Sequence, residues 1–380
     1  MTHKILHVYE DYKWTGASEP ISVLCRELMR QGWGIELACA RSGSNPQKRY
    51  LGGQARQMGL KVHEDFYFEN DPNLQYNLHD IDRLSRLLEE GDFSVVHAHG
   101  SWDHALLAIA RRRSPCSAPL VRTDHGGRDF SGHWFERFQL GPRLTDHLVV
   151  FTDELRSLAV RRLGRPPETV SRVRGAVDCE DFAPLAPPEG IRGAFGLDAD
   201  DIVFGIVARV QWHRRFEVLL EAALKFQRRN TRLKIVVLGR GTHKEEILDR
   251  PVVEMGLEDT VYPLGYRKED YREVLAMCDA GLMLVPGSDA SCRAAMQMCA
   301  MGKPMVVANR GVLPDIVRDG QTGAVVEDTP EKLAEALLRM ADSPDRREKQ
   351  GRAARRRMQE KFSVDRQARR ISDIYRQFCE

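Results

Sequence analysis

The 380-residue sequence has no long apolar run. Nothing in it approaches the roughly 18 consecutive hydrophobic residues that a membrane-spanning helix needs, so an integral membrane protein is not expected. No secretory leader is visible, because Met1-Thr2-His3-Lys4 runs directly into the strand-like Ile5 to Tyr9. Cysteine occurs at 25, 39, 116, 179, 278, 292, 299 and 379, and no two of these have the spacing of a metal knuckle or a redox pair. Reduced thiols in a cytoplasmic protein are the expectation, without a disulfide framework. There is no G-x-G-x-x-G and no Walker loop, which disfavours dinucleotide and P-loop readings. Internal repeats and low-complexity tracts are absent. So is the motif or aromatic support that nucleic-acid binding requires, and no nucleic acid partner is expected.

The charge that is present is nearly balanced, with a formal net of +2. Its distribution is less even: Arg111-Arg112-Arg113, Arg161-Arg162, Arg346-Arg347 and the run from Arg352 to Arg357 are basic clusters. Such clusters are ordinarily solvated faces. The sharper reading is an acidic ligand or an anionic membrane surface, with the protein peripheral on the inner face of the cell membrane.

Hydrophobic patterning alternates between two periods along the chain. Lys4 to Tyr9, Ile35 to Ala40, Ser94 to His97, Leu120 to Thr123 and His147 to Phe151 are short apolar runs of buried-strand type. Helical spacing separates them, as in Glu19 to Gln31, Asp103 to Arg113 and Asp153 to Leu163. A proline-rich segment, Pro184 to Pro188, interrupts the alternation, which restarts at Ile202. The length alone favours two domains. The fold class expected is α/β, with two doubly wound, Rossmann-like parallel-sheet domains facing across a cleft. The first domain spans residues 1–184 and the second 185–364, with the helix 365–380 packing back on the first.

The stretch Val285 to Val326 (VPGSDASCRAAMQMCAMGKPMVVANRGVLPDIVRDGQTGAVV) reads as strand end, loop, helix, stop and buried strand. Its helix, Ser291 to Met301, is closed by Gly302 and Pro304. A loop entering a helix N-terminus offers free N–H groups and a positive dipole end, a natural place for a phosphate. An ordinary strand–helix–strand corner has the same local pattern.

Taken in order, the motifs resemble those of the retaining glycosyltransferases of GT-B type, the family that includes glycogen synthases and phosphatidylinositol mannosyltransferases. Gly16-Ala17 looks like the family's glycine-glycine loop, VVHAHG (95–100) like D-V-V-H-x-H, and RTDHGG (122–127) like T-x-H-G. GAVDCEDFAP (175–184) resembles N-G-V-D-x-x-x-F-x-P, and ARVQWHRRFEVLLEA (208–222) resembles G-R-L-x-x-x-K-G-x-x-x-L-I-E-A. LGRGTHKEEI (238–247) resembles G-x-G-x-x, and 285–326 resembles the family's E-G-F-G … E-A-M-A-x-G-K-P stretch. The match covers nearly the whole chain. It implies transfer of a sugar from a nucleotide-sugar donor, bound mainly by the second domain, to a hydroxyl of a polysaccharide, lipopolysaccharide or other glycoconjugate held by the first. No metal or other cofactor is implied.

The resemblance also implies roles for individual residues. Arg209 and Arg214 stand where the family has Arg and Lys on the donor diphosphate, and two fixed cations there favour the charge that develops on the leaving group. Arg215 stands where the family favours glycine. His125 stands near the reacting sugar, and His99 is an acceptor-side candidate with Ala17, although a lone strand-end histidine is ordinarily structural. Gly16, Gly239 and Gly241 would let backbone approach the donor. Ala290, Ser291 and Cys292 would offer N–H groups to phosphate, and Arg293 adds charge in the first helical turn. Asp289 and Gln297 replace the family's two glutamates. The first would touch the donor sugar and the second, a neutral amide, the ribose. That pair motivates an alternative: a non-catalytic GT-B homologue that binds a nucleotide or a partner protein. A phosphorylase or isomerase on the same fold is a further, weaker reading, because no lysine lies in a context suited to pyridoxal.

Overall fold

The computed structural model describes residues 3–16, 18–43, 49–68, 73–125, 130–287 and 292–379. Two compact units make up the chain, one of residues 1–175 with 364–380, the other of residues 176–363. The first contains β1 (Lys4–Tyr9), β2 (Gly34–Ala40), β3 (Lys61–Phe66), β4 (Val95–Ala98), β5 (Leu120–Thr123), β6 (His147–Val150) and β7 (Val170–Arg172). They form one parallel sheet in the order β3-β2-β1-β4-β5-β6-β7. The second contains β8 (Ile202–Val207), β9 (Leu233–Leu238), β10 (Val261–Gly265), β11 (Ala280–Met283), β12 (Met305–Ala308) and β13 (Gly323–Val326). Its sheet is also parallel, in the order β10-β9-β8-β11-β12-β13.

In each sheet the strand order reverses once, between β1 and β4 and between β8 and β11. Crossovers leave in opposite directions at that point, so the carboxyl ends of those strands open a crevice within the unit. Helices cover both faces of each sheet, which is why the strands read as apolar runs. In the first unit Ile5, Val95, Val121 and Val149 point to one core. Leu6, Val8, Val96, Ala98 and Leu120 point to the other.

The last helix, Val364–Cys379, belongs to the first unit. Its Ala368, Ile371, Ile374 and Tyr375 enter the same core as Ile21, Leu24, Leu28 and Trp33. Trp33 Nε1 donates to Ser372 Oγ at 2.9 Å, pinning the helix from the side. No helix among the described residues is long and apolar enough to cross a membrane.

The structure adds elements that periodicity does not reveal. The helix Leu51–Gln57 and β3 lie between β2 and the helix Leu74–Gly91. As an edge strand, β3 exposes much of its surface. Its Lys61 and His63 bond the Glu36 carboxylate of β2 at 3.1 and 2.7 Å, so its polar residues serve the edge and leave no apolar run. A short helix, Trp134–Gln139, has no buried residue and therefore no core-facing stripe. After β9 the chain forms a π-turn, Glu245–Asp249, followed by the short helix Arg250–Glu254. Pro251 cannot donate to the preceding turn, and the ladder widens there. The chain enters the second unit at Ala176, ahead of the proline-rich segment, because Val177 bridges to Ser363 and packs with Phe182 into the second core.

Two glycines fix how β9 meets β8. A Cβ on Gly239 would lie 1.8 Å from Ala208 O, and one on Gly241 would lie 1.8 Å from Val210 O. Between them, Val210 N donates to Arg240 O at 3.1 Å, extending the β8–β9 ladder past the ends of both strands. Gly239→Ala should therefore lower stability by about 1–3 kcal/mol or more. Gly16→Ala, where a Cβ meets nothing within 4 Å, should stay within about 0.5 kcal/mol of the parent. Urea denaturation of both variants checks the contrast.

Candidate functional site

The first unit gathers its polar residues at the carboxyl ends of β1, β4 and β5. Side chains two residues apart on a strand share a face. The spacings His97–His99 and Thr123–His125 therefore place both pairs on the face of the sheet that carries His7. Register aligns His7 with His97, and His97 with Val121. The result is a histidine group that steps from the interior of the sheet toward its edge. His7, His97 and His99 are buried, while His125 is partly exposed.

Both nitrogens of each buried ring are engaged. His97 Nε2 lies 2.7 Å from Thr123 Oγ1, and its Nδ1 lies 2.6 Å from the Tyr375 hydroxyl. That hydroxyl is 3.1 Å from His7 Nε2, and His7 Nδ1 is 2.9 Å from His99 Nε2. His99 Nδ1 completes the group, 3.0 Å from His125 Nε2. Both ring nitrogens of His99, the acceptor-side candidate, go to other histidines, so within the first unit it supports His125. Atoms of His7, His97 and His99 also lie within 4.8 Å of one another, as in a metal-binding set. Their lone pairs and protons are already committed to the bonds above.

Burial holds all four rings neutral. It pushes His7 down to about 3 and His97 and His99 well below the ordinary histidine value. His125 falls to about 3 through burial, aided by the Arg122 guanidinium. His104 and His147 are lowered likewise, to about 3 and about 4.

A carboxylate pair sits beside this group. Glu10 Oε2 accepts from Trp102 N at 2.7 Å and Asp103 N at 3.3 Å, at the start of the helix Ser101–Arg113. The chain's own anion thus fills the position a phosphate would take at that helix dipole. Asp103 accepts from Gly100 N at 2.8 Å, and burial pushes its carboxyl up to about 7 against the pull of Arg122. Gly16 is exposed with open space around its Cβ position. Neither packing nor backbone conformation demands glycine there. Ala17 lies outside the described residues.

The second unit places its cations at the end of β8. Arg209 is exposed and bonds to none of the described residues, whereas Arg214 is buried and donates through Nη1 to Pro286 O. That contact ties the segment after β8 to the loop after β11. Arg215, in the family's glycine position, adopts a left-handed conformation at φ 63°, a state costing about 1–3 kcal/mol for a residue with a side chain. It caps the helix Phe216–Gln227 and pairs with Glu217 at 3.3 Å and Asp328 at 3.5 Å. Cys292, just before the helix Arg293–Ala300, is also left-handed, at φ 47°. Arg293 opens that helix and is half-buried. Asp289, Ala290 and Ser291 lie outside the described residues.

Gln297 is buried, and its Oε1 accepts from the Tyr271 hydroxyl at 2.8 Å. The hydroxyl thereby fixes the orientation of the amide. Gly239 and Gly241 lie at the end of β9, where the neighbouring backbone explains both. Sequence reasoning missed Glu10, His7, Tyr271 and Tyr375. A histidine inside the apolar run of β1 was the one visible signal among them.

Comparison with known proteins places this geometry in a class. Residues 189–357 match the family described as Glycosyl transferases group 1, and residues 14–181 match Glycosyltransferase Family 4. A D-inositol 3-phosphate glycosyltransferase from Saccharomonospora viridis is 34% identical over 324 residues, covering 78% of this chain and 72% of that one. Relatives of the same name from Streptomyces scabiei and Thermobifida fusca are matched over only 54% and 50% of their lengths. Among solved structures, a glycosyltransferase from Rickettsia africae superposes with a TM-score of 0.84 at 16% identity, covering 100% of this chain and 99% of that one. Anabaena HepE in complex with UDP superposes with a TM-score of 0.79 at 18% identity, covering 98% and 99%. The fold is GT-B. The chain belongs to the group 1 glycosyl transferases and is a glycosyltransferase.

The neutral histidines set a pH dependence. A histidine whose folded pKa is depressed contributes stability above its unfolded value, near 6.5, and loses it as pH falls. At pH 5 the unfolded chain binds a proton on each of His7, His97, His99, His104, His125 and His147 that the folded chain refuses. Asp103, raised to about 7, has the opposite sign and returns one. Unfolding at pH 5 should therefore take up about five protons from these groups. Stability by urea titration should fall steeply from pH 6.5 to 5, and a flat profile there would contradict the burial of these rings.

Proposed function

We propose that the enzyme moves a sugar from a nucleotide-sugar donor to a hydroxyl of a glycan or glycolipid acceptor, with retention of configuration and without a metal. The observation that carries this reading is the cation pair after β8. Arg209 is open to a ligand, and Arg214 is fixed on the loop that leads to the helix Arg293–Ala300. A departing nucleoside diphosphate gains negative charge as its bond to the sugar breaks, so preplaced cations favour the transition state over the ground state. The start of that helix suits a phosphate. In a front-face transfer the leaving phosphate itself takes the acceptor proton. A nucleophilic carboxylate is then not required, in contrast to a retaining glycosidase. Open space at Gly16 and the edge position of His125 suit a sugar on the first unit.

The UDP complex of the Anabaena neighbour makes UDP-sugars the first donors to try. The name of the Saccharomonospora relative puts phosphorylated polyols on the acceptor panel beside glycans. A nucleoside diphosphate should raise the melting temperature by linkage, and Arg209→Ala should remove that shift without altering the unliganded melting point. No shift with UDP, GDP, ADP or CMP would count decisively against donor binding.

One observation favours a second reading, a homologue that binds nucleotide without transfer. The carbonyl of Gln297 already accepts from Tyr271, so one lone pair and the amide nitrogen remain for a ribose, where a carboxylate would offer more acceptors. Nucleotide binding with neither hydrolysis nor transfer across the donor panel would select this reading.

The acceptor side also suggests an anionic membrane surface. Arg112, Arg113 and Arg161 are exposed on the first unit, as are Trp134, Phe135 and Phe138 of the short helix Trp134–Gln139. Basic residues attract anionic headgroups, and aromatic side chains settle at the bilayer interface. The protein should sediment with phosphatidylglycerol vesicles at low salt and be released above about 0.5 M salt. Failure to bind at low salt would end this proposal.

A further inference from the structure

The bonds among Thr123, His97, Tyr375, His7, His99 and His125 form one unbranched line, and its chemistry restricts where the protons sit. Each neutral imidazole has one N–H and one lone pair, and each hydroxyl has one proton to give. The Tyr375 hydroxyl lies between His97 Nδ1 and His7 Nε2. It donates to one of them and must accept from the other. That choice propagates in both directions.

If Tyr375 donates to His7 Nε2, then His7 carries its proton on Nδ1 and donates to His99 Nε2. His99 then donates from Nδ1 to His125 Nε2, which leaves the proton of His125 on Nδ1. On the other side, His97 donates from Nδ1 to Tyr375 and accepts from Thr123. If Tyr375 donates to His97, every step reverses and all four histidines carry the proton on Nε2. Any mixed arrangement sets two N–H groups or two lone pairs against each other inside the buried group.

We propose that Tyr375, His7, His97 and His99 are positioning residues that hold His125 in a single tautomer, all four histidines carrying the proton on the same ring nitrogen. The geometry supplies the reason this matters. His125 Nδ1 pairs with none of the described residues, and the ring is partly exposed. One proton order makes that nitrogen a donor and the other an acceptor, so the line decides which partner it can serve. The C-terminal helix joins the two halves of the line through a single hydroxyl, so their proton order is shared. The catalytic consequence rests on the transfer reading above, but the tautomer statement does not.

Neutron diffraction from a deuterated crystal of the full chain reads the tautomers directly. The expected result is deuterium on the same nitrogen of His7, His97, His99 and His125. Opposite tautomers within the line, or a doubly protonated ring, would overturn the proposal without any variant being made. Tyr375→Phe removes the hydroxyl and leaves a ring of the same outline, packed edge-on against Trp33 at 5.4 Å. Its His125 should show deuterium divided between both nitrogens. In steady-state kinetics kcat should fall roughly two- to tenfold, with the fraction of molecules holding the right tautomer, while the donor KM stays nearly constant. A variant that keeps one His125 tautomer and the parent kcat would also overturn the proposal. Uniform tautomers in a protein with no turnover on any donor would leave the line standing and remove the transfer reading instead.

Discussion

A parallel sheet covered on both faces has no water within reach of its interior, so each polar side chain inside it must find a protein partner or destabilise the fold. The first unit is built under that constraint. His7, His97 and Thr123 lie within its strands and satisfy one another through Tyr375. His147 reaches Ser171 at 2.9 Å, and His104 reaches Thr145 at 2.8 Å. Arg165 is the extreme case, a fully covered guanidinium. Its charge is spread over the carbonyls of Leu140, Thr145, Asp146 and Thr169, and burial lowers it to about 10. Once these groups are neutralised or matched, the strands can stay close-packed while polar atoms gather at one edge.

The second unit meets a different demand, bringing backbone to its edge without side chains in the way. Gly239 and Gly241 lie against carbonyls of the segment after β8. Arg215 and Cys292, its two non-glycine residues with positive φ among the described residues, each precede a helix, Phe216–Gln227 and Arg293–Ala300. Unfavourable backbone conformations persist where surrounding contacts over-determine them. Here the determinants include the pairing of Arg215 with Asp328 and the burial of Cys292. One of the two strained positions thus directly follows Arg214, a residue that carries the functional reading.

Much of this was legible in the residues. Apolar runs marked the buried strands because a doubly covered sheet admits few residues of any other kind, and the two-residue spacing of His97–His99 and Thr123–His125 fixed their shared face. Edge elements escaped because β3 and the helix Trp134–Gln139 have no core to advertise. Gly239 and Gly241 were read as making room for a ligand, but a neighbouring carbonyl demands the same missing side chain, and sequence cannot separate the two causes. Tyr375 was beyond reach for another reason. It meets His97 across 278 residues, and no local pattern encodes a contact of that range.

The return of the final helix to the first unit bears on how the protein is made. Residues 176–363 are contiguous, so that unit has all its parts once they have left the ribosome. The first unit is translated earlier but lacks Ile371, Ile374 and Tyr375 until the second unit has been made. During synthesis its histidines have no hydroxyl to close on, and one face of its core stays uncovered. The unit made first is thus the one finished last, and the interval between leaves apolar surface open to chaperones and to aggregation.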